Sequence, residues 1–415
     1  MKLSKKLILS AFFIFITCIS VFVAAPSIVS AADVIDSGTC GDNLTWVLTS
    51  DGVLTVSGEG EMSDYSGANT GPWYSYCESI ISIVIENGVT SIGRCAFWDC
   101  TGLINVTIGN NVTMIDYQAF HDCTSLTSIT IPDSVTSIGS EAFENCTSLE
   151  SITLPDSETT IGRRAFYNTA YYNDLNNWTE GVLYIDNWLI EADSEVVSGG
   201  YTIKSDTVGI ASEAFSYCAS LTSVQIGDTV TTIGGSAFFY CTSLTSVTIP
   251  DSVTKIGIDA FYNCESLTSV KIGDSVTEIG DDAFANCTSL VEIYFEGDAP
   301  SMRNGGGLFR RVNATAYYPA ENDTWTEDVM LNYGGTIKWT AYTVSIAADI
   351  TDNDVTCDEV ESDIDDDVND NNNNDSNEND TNETTSGCGS SLTAISVIFA
   401  FAACCLCVKR KEKLN

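Results

Sequence analysis

The fold class predicted by this chain is a repeat solenoid, and three observations predict it. The dipeptide Ala-Phe recurs with its phenylalanines at 97, 120, 143 and 166, and again at 215, 238, 261 and 284, a step of 23 residues within each run. A cysteine follows three positions later at Cys100, Cys123, Cys146, Cys218, Cys241, Cys264 and Cys287. Each unit also carries a short alternation of Ser or Thr with Ile or Val, as in "SITIP" from Ser128 to Pro132. Self-similarity at a fixed period marks one supersecondary unit per repeat, whose apolar face is buried by stacking on its neighbours.

Within the unit after Cys123, Leu126, Ile129 and Ile131 are apolar while Ser128 and Thr130 alternate with them. That is a short period-2 strand. Pro132-Asp133 stops it, because proline gives up a ladder donor and aspartate favours turns. Val135, Ile138, Ala142, Phe143 and Cys146 supply the remaining apolar positions of the turn. Unit starts fall at 73, 96, 119, 142, 165, 214, 237, 260 and 283. At roughly 4.8 Å per coil they predict a rod about 40 Å long.

The signature A-F-x-x-C-x-x-L-x-x-[IV]-x-[IL]-P resembles that of the BspA-like leucine-rich repeat family of microbial surface proteins. The resemblance covers about Trp73 to Gly297. The flanks "TCGDNLTWVLTSDGVLTVSGEGEM" and "AYYPAENDTWTEDVMLNYGGTIKW" look like the family too. It implies a leucine-rich-repeat coil with a parallel β-sheet on the concave face, and roles in adhesion and partner binding. It implies no catalytic residues.

The pattern breaks at one place. Between Phe166 and Phe215 the step is 49 residues, Thr169 stands where the cysteine belongs, and Glu158 occupies the preceding valine position. The extra stretch "GVLYIDNWLIEA" has two apolar runs around Asp186-Asn187 and reads as a hairpin inserted into one coil.

Both ends carry targeting signals. Lys2, Lys5 and Lys6, an apolar run and "VSAAD" predict a secretory signal peptide. Leu392 to Val408 is a run of 17 uncharged residues followed by "KRKEK", which predicts one membrane span with a cytoplasmic tail. Between Asp349 and Gly387 lie 15 acidic and no basic residues, the composition of a disordered stalk. Its "DSNEN" begins like a calcium loop, but Asp380 and Ser386 replace the glycine and the twelfth-position glutamate. The predicted divisions are a signal peptide (1–32), an N-terminal β-rich cap (33–72), the solenoid (73–297, with its insertion within 165–213), a C-terminal cap segment (298–347), the stalk (348–388), a transmembrane helix (389–408) and a basic tail (409–415).

The chain has 17 Lys and Arg against 57 Asp and Glu, a formal net charge of −40. Such a body repels phosphate backbones, so nucleic acid is not an expected partner. Sixteen cysteines in an exported chain ordinarily suggest disulfides. Cysteines one coil apart, however, point inward in parallel with Cβ atoms about 4.8 Å apart, whereas a disulfide needs about 3.8 Å. The seven ladder cysteines are therefore expected as buried thiols, while Cys40, Cys95 and Cys357 lie outside the ladder and are free to pair.

No cofactor or metal set assembles from the sequence, and no catalytic one. The single histidine, His121, occupies a variable slot where other units have Trp98, Glu144 or Phe239, and is expected to be exposed. The candidate surface is the outward column of the strands. Most of it is Ser or Thr, which suits any exposed strand. Asn105, Gln225, Lys271, Glu292 and Tyr294 depart from that pattern and are the candidate binding residues. Trp178 and Trp188 of the insertion are candidates as well, since aromatics anchor interfaces, and they could equally pack the hairpin onto the coil. The expected function is a cell-surface adhesin or protein-binding module, an outward-facing body on one C-terminal span. Its partner would be a host or neighbouring-cell surface protein, or a glycan held by the aromatic hairpin. A passive structural spacer is the competing class.

Overall fold

The computed structural model describes residues 32–66, 71–156, 158–302 and 307–343. The signal peptide core, the acidic stalk, the C-terminal span and the basic tail lie outside the described residues. Among the described residues, no helix is long and apolar enough to cross a membrane.

The alternation read in each unit forms the first of two parallel strand ladders. Ser128–Thr130 pairs with Ser151–Thr153 in register, and Ser246–Ile249, Ser269–Ile272 and Glu292–Phe295 follow one another 23 residues apart. In Ser128–Thr130 and Ser246–Ile249 Ile or Val points inward and Ser or Thr outward, as the pleat requires, while Glu292–Phe295 keeps the alternation with Ile293 and Phe295 inside. A second ladder was not anticipated. It runs through Met114–Ile115, Ser137–Ile138 and Thr160–Ile161, then through Gly209–Ile210, Thr232–Ile233, Lys255–Ile256 and Glu278–Ile279. A strand two residues long shows no alternation, so its sequence looks like part of a turn. Beside it the repeat glycine lets the coils close up: a Cβ on Gly139 would lie 2.5 Å from the Tyr117 nitrogen.

The Ala-Phe turn is a third inter-coil connection, and its backbone hydrogen bonds run one way. On the ladders donation goes in both directions, with Thr136 N reaching Thr113 O at 2.8 Å and Ile131 N reaching Thr153 O at 2.9 Å. In the turn the earlier coil donates to the later: Phe97 N to Ala119 O, Phe120 N to Ala142 O and Phe143 N to Ala165 O, each at 2.8 Å. Two left-handed residues per coil make this possible, one before the alanine and one two places after the phenylalanine, such as Glu141 (φ 59°) and Asn145 (φ 62°). Alternating right- and left-handed residues aim successive N–H groups the same way. Asn and Asp tolerate the left-handed conformation best, which explains the "NC" and "DC" of the repeat.

Inside the coil the phenylalanines stack. Trp73, Phe97, Phe120, Phe143 and Phe166 form one column with centroids 5.1 to 5.5 Å apart, and Phe215, Phe238, Phe261 and Phe284 form another at 5.0 to 5.3 Å. Beside them Cys123, Cys146, Cys241, Cys264 and Cys287 are buried free thiols, each donating to the carbonyl of the phenylalanine one coil earlier, as Cys264 Sγ does to Phe238 O at 3.2 Å. Cys218 is also a buried free thiol. The expectation fails for Cys100, which is disulfide-bonded to Cys77 with the Cα atoms 4.2 Å apart. Cys77 follows a 3-10 turn, Tyr74–Tyr76, rather than an Ala-Phe turn, so the parallel-column geometry assumed for the ladder does not govern that pair. Cys40 and Cys95 are free.

The ladders run on past both ends of the Ala-Phe array. At the N-terminal end an antiparallel meander, Val34–Thr39, Leu44–Thr49 and Val53–Gly58, joins the first ladder when its last strand pairs parallel with Ser82–Ile85. At the other end Asn313–Pro319 and Thr336–Tyr342 add two further parallel strands. Trp325 and Trp339 close the core there against Phe295. The second ladder holds eleven strands from Gly60–Glu61 to Ser301–Met302, two more rungs than the nine motif starts.

The insertion is the hairpin expected, Val182–Ile185 paired antiparallel with Trp188–Ala192. It does not protrude. Trp188–Ala192 pairs parallel with Gly209–Ile210 and so occupies a rung of the second ladder. Its side chains divide by face: Leu183, Ile185, Trp188 and Ile190 join the core of the N-terminal half, and Val182, Tyr184, Leu189 and Ala192 join that of the C-terminal half. Asp186 at its tip accepts from Leu154 N at 2.8 Å, and Arg163 pairs with Glu213 across it at 3.1 Å. Glu158 does not take the valine position. Thr159 is buried there instead, and the Glu158 carboxylate accepts from Thr254 Oγ1 at 3.1 Å.

Candidate functional site on the outward face of the first ladder

Pairing in the first ladder decides which outward residues meet. Thr248 lies beside Lys271, Lys271 beside Tyr294, and Tyr294 beside Tyr317, while Ser269, Glu292, Thr315 and Lys338 follow one another in the neighbouring column. Three of the candidates, Lys271, Glu292 and Tyr294, are thus brought together at the C-terminal end of the sheet. Lys271 Nζ sits 2.8 Å from Glu296 Oε1, with both side chains about one-third exposed. The Tyr294 and Tyr317 rings stack at 4.7 Å with planes 10° apart. Partial burial, then the charge of Glu292, pushes the Tyr294 hydroxyl up to about 12, so it stays protonated and able to donate a hydrogen bond. The cluster therefore offers an aromatic pair, an ion pair and a second carboxylate on a face lined mostly by short hydroxyls.

The other candidates lie apart from it. Gln225 is exposed two coils earlier and accepts from Thr202 Oγ1 at 3.3 Å. Asn105 is exposed in the N-terminal half, in a separate sheet. Trp188 is 1% exposed, and its indole N–H donates to Pro155 O at 3.0 Å; it is a core residue of the hairpin and presents no ring to solvent. Trp178 is half-buried, donates to Tyr172 O at 2.8 Å and stands edge-on to the Tyr172 ring. Tyr171 donates to Tyr184 O and Tyr172 to Glu191 Oε1. The insertion aromatics pack the hairpin onto the coil, because each polar tip finds a partner inside the structure.

Sequence reasoning passed over Tyr317 and Glu296. Both were findable: Tyr317 is Tyr294 plus one period, and Glu296 lies diagonally across from Lys271. His121 is not the exposed residue expected. Its side chain is 13% exposed, with Nδ1 2.9 Å from Asp122 Oδ2 and Nε2 3.9 Å from Glu144 Oε2. His121, Glu141 and Glu144 bring ligating atoms within 4.8 Å of one another. Burial, then Glu141, raises the Glu144 carboxyl, and the guanidinium groups of Arg164 and Arg163 oppose that rise.

The match to a family model agrees with this repeat architecture. The BspA type leucine rich repeat region, in 6 copies, matches residues 72–194 and 208–310. Among solved structures the chain is similar to a leucine-rich repeat protein from Eubacterium ventriosum, at 22% identity over 75% of this chain and 98% of that one, with a TM-score of 0.34. It is also similar to a leucine rich cell surface protein from Faecalibacterium prausnitzii, at 25% identity over 74% and 96%, with a TM-score of 0.30. The pneumococcal vaccine antigen PcpA is similar at 16% identity over 74% and 99%, with a TM-score of 0.29. No curated protein matches the chain. The period, the Ala-Phe-x-x-Cys turn and the matched repeats, which span more than half of its length, establish that this chain belongs to the BspA-type leucine-rich repeat family.

Proposed function

We propose that the chain is a surface-displayed binding module that engages a protein of a host or neighbouring cell through the C-terminal end of its first ladder. The observation that carries this reading is the solvent-facing Tyr294–Tyr317 stack beside the Lys271–Glu296 ion pair, on a sheet face made mostly of Ser and Thr. Aromatic anchors ringed by polar groups concentrate binding energy in interfaces, and truncating one typically costs about 2 kcal/mol or more of affinity. The secretory signal, acidic stalk and C-terminal span read from the sequence support display outside the cell on a single-pass anchor. Catalysis has no part in the proposal.

The test is capture of surface extracts on the immobilised chain, repeated with variants. Tyr294→Ala combined with Lys271→Ala should abolish retention of a specific partner, while Ser246→Ala with Thr248→Ala should leave it unchanged. Equal retention by both double variants would remove the site from this face. Absence of any saturable partner would favour the spacer reading, and competition by free sugars would indicate a glycan ligand.

A further inference from the structure

The turn column of the C-terminal half carries a second surface, away from the first ladder. In six of the eight Ala-Phe coils the left-handed residue after the phenylalanine is Asn or Asp; in two successive coils it is Tyr217 (φ 62°) and Tyr240 (φ 59°). A bulky ring at a left-handed position carries a conformational cost, and here that cost is met twice in succession at the surface. The adjoining slot holds Phe239 and Tyr262 in neighbouring coils. Tyr217 stacks on Tyr240 at 5.4 Å, Phe239 stacks on Tyr262 at 5.1 Å, and Phe239 and Tyr240 touch at 4.6 Å. Tyr217 is 61% exposed, and the other three are half-buried.

Carboxylates border this platform. Asp259 and Asp282 occupy the other left-handed column beside it, and burial followed by the charge of Asp282 holds the Asp259 carboxyl above its usual range. The chain itself shows what such a mixture holds. At the far end the Arg310 guanidinium lies 5.8 Å from the Tyr262 centroid with Nη2 3.4 Å from Asp282 Oδ1. Arg164 covers Tyr167 in the same way at 5.1 Å. With 17 basic residues against 57 acidic ones, the chain has few cations to spare, and Tyr217, Phe239 and Tyr240 face none within cation–π distance among the described residues. An anionic partner would meet the acidic border, and an apolar one would strip water from the Asp259 carboxylate without offering it a new partner.

We infer that the Tyr217–Phe239–Tyr240–Tyr262 platform is a docking surface for an arginine-bearing segment of a partner protein, its guanidinium groups laid on the rings and paired with the bordering carboxylates. Arginine suits the site because its planar cation stacks on aromatic faces and is weakly hydrated.

The probe is the peptide acetyl-Gly-Arg-Gly-Arg-Gly-amide, titrated against the full chain and followed by proton NMR, together with its counterpart carrying uncharged citrulline for arginine. Saturable binding with upfield ring-current shifts of the arginine δ protons is expected, with binding of the citrulline peptide lost. Tyr217→Asn with Tyr240→Asn should weaken binding by about three- to thirtyfold per ring removed. The same substitutions restore the residue preferred at those left-handed positions, so the melting temperature should hold or rise, separating lost binding from lost fold. Equal binding by that variant, equal binding of the citrulline peptide, or no saturation at millimolar peptide would each overturn the inference. None of these outcomes bears on the Tyr294 face, which is tested separately.

Discussion

The two halves of the solenoid, before and after the hairpin, are nearly the same molecule inside and differ along one outward column. Each has a phenylalanine stack, buried ladder thiols, two parallel ladders and a turn with two left-handed residues per coil. The left-handed position two after the phenylalanine reads Asp99, Asp122, Asn145 and Asn168 in the N-terminal half, and Tyr217, Tyr240, Asn263 and Asn286 in the C-terminal half. The backbone hydrogen bonds beneath are alike, with Asn145 N reaching Tyr167 O at 2.9 Å and Tyr240 N reaching Tyr262 O at 2.8 Å. The lesson is that the repeat constrains what points inward and leaves the turn slots open, so chemistry can be changed coil by coil without disturbing the stack.

The largest effect that bears on this comparison comes from coil deletion. Removing Ala237 to Asp259, one whole unit, should leave a folded and shorter protein by circular dichroism, because the flanking coils meet in register. Removing half of that unit misplaces every later core position, and loss of the C-terminal half's cooperative melting is expected. Next comes the hairpin. Trp188→Ala should cost about 3–5 kcal/mol in denaturant titrations. Since the hairpin lends side chains to both cores, probes in both halves should report the loss; a loss confined to one would show that the halves fold independently.

Alkaline pH should weaken both halves alike. Burial pushes the thiols up from 9.0, Cys40 to about 11 and Cys218 to about 12. Below about pH 9 these thiols are protonated whether folded or not, and their contribution is complete. Between pH 9 and the folded values the unfolded chain sheds protons that the folded chain keeps. Stability then falls as pH rises, by about 1.4 kcal/mol per pH unit for each such thiol. Chemical denaturation at pH 8 and pH 10 measures it. The smallest effect exchanges the outward columns. Tyr240→Asn should gain up to about 1 kcal/mol and Asn145→Tyr should lose at least as much, since Asn145 also accepts from Asn168 Nδ2 at 2.8 Å.

The interior was legible in the sequence because packing repeats. The 23-residue step, the inward Ile129 and Ile152, and the stacked phenylalanines all follow from periodicity. The second ladder was not, since Ser137–Ile138 is too short to alternate. The hairpin was found by its turn, and of the two roles the sequence left open for Trp188 it takes the packing one, buried at 1% exposure. The run "VLYI" is apolar at every position, which signals burial on both faces rather than display. Tyr317 was hidden by lying beyond the last Ala-Phe motif, although the period still reaches it. The aromatic platform lay in slots treated as variable, and its significance comes from which coils sit side by side. The candidate site was thus half legible: Lys271, Glu292 and Tyr294 converge, while Asn105, Gln225 and Trp178 remain separate.

The hairpin gives the molecule a mechanical character that a uniform stack lacks. Pulled from its two ends, a pile of coils joined by short parallel rungs and turn hydrogen bonds would release one coil after another, each giving about 80 Å of slack chain. At the strand Trp188–Ala192 that sequence meets a different kind of joint. It is zipped antiparallel to Val182–Ile185 on one side and parallel to Gly209–Ile210 on the other, and Trp188 has to be drawn out of the core before it yields. A force–extension trace should therefore divide into two series of small steps separated by one higher peak. The hairpin should act as a rip-stop, so that tearing begun in one half halts before it reaches the other.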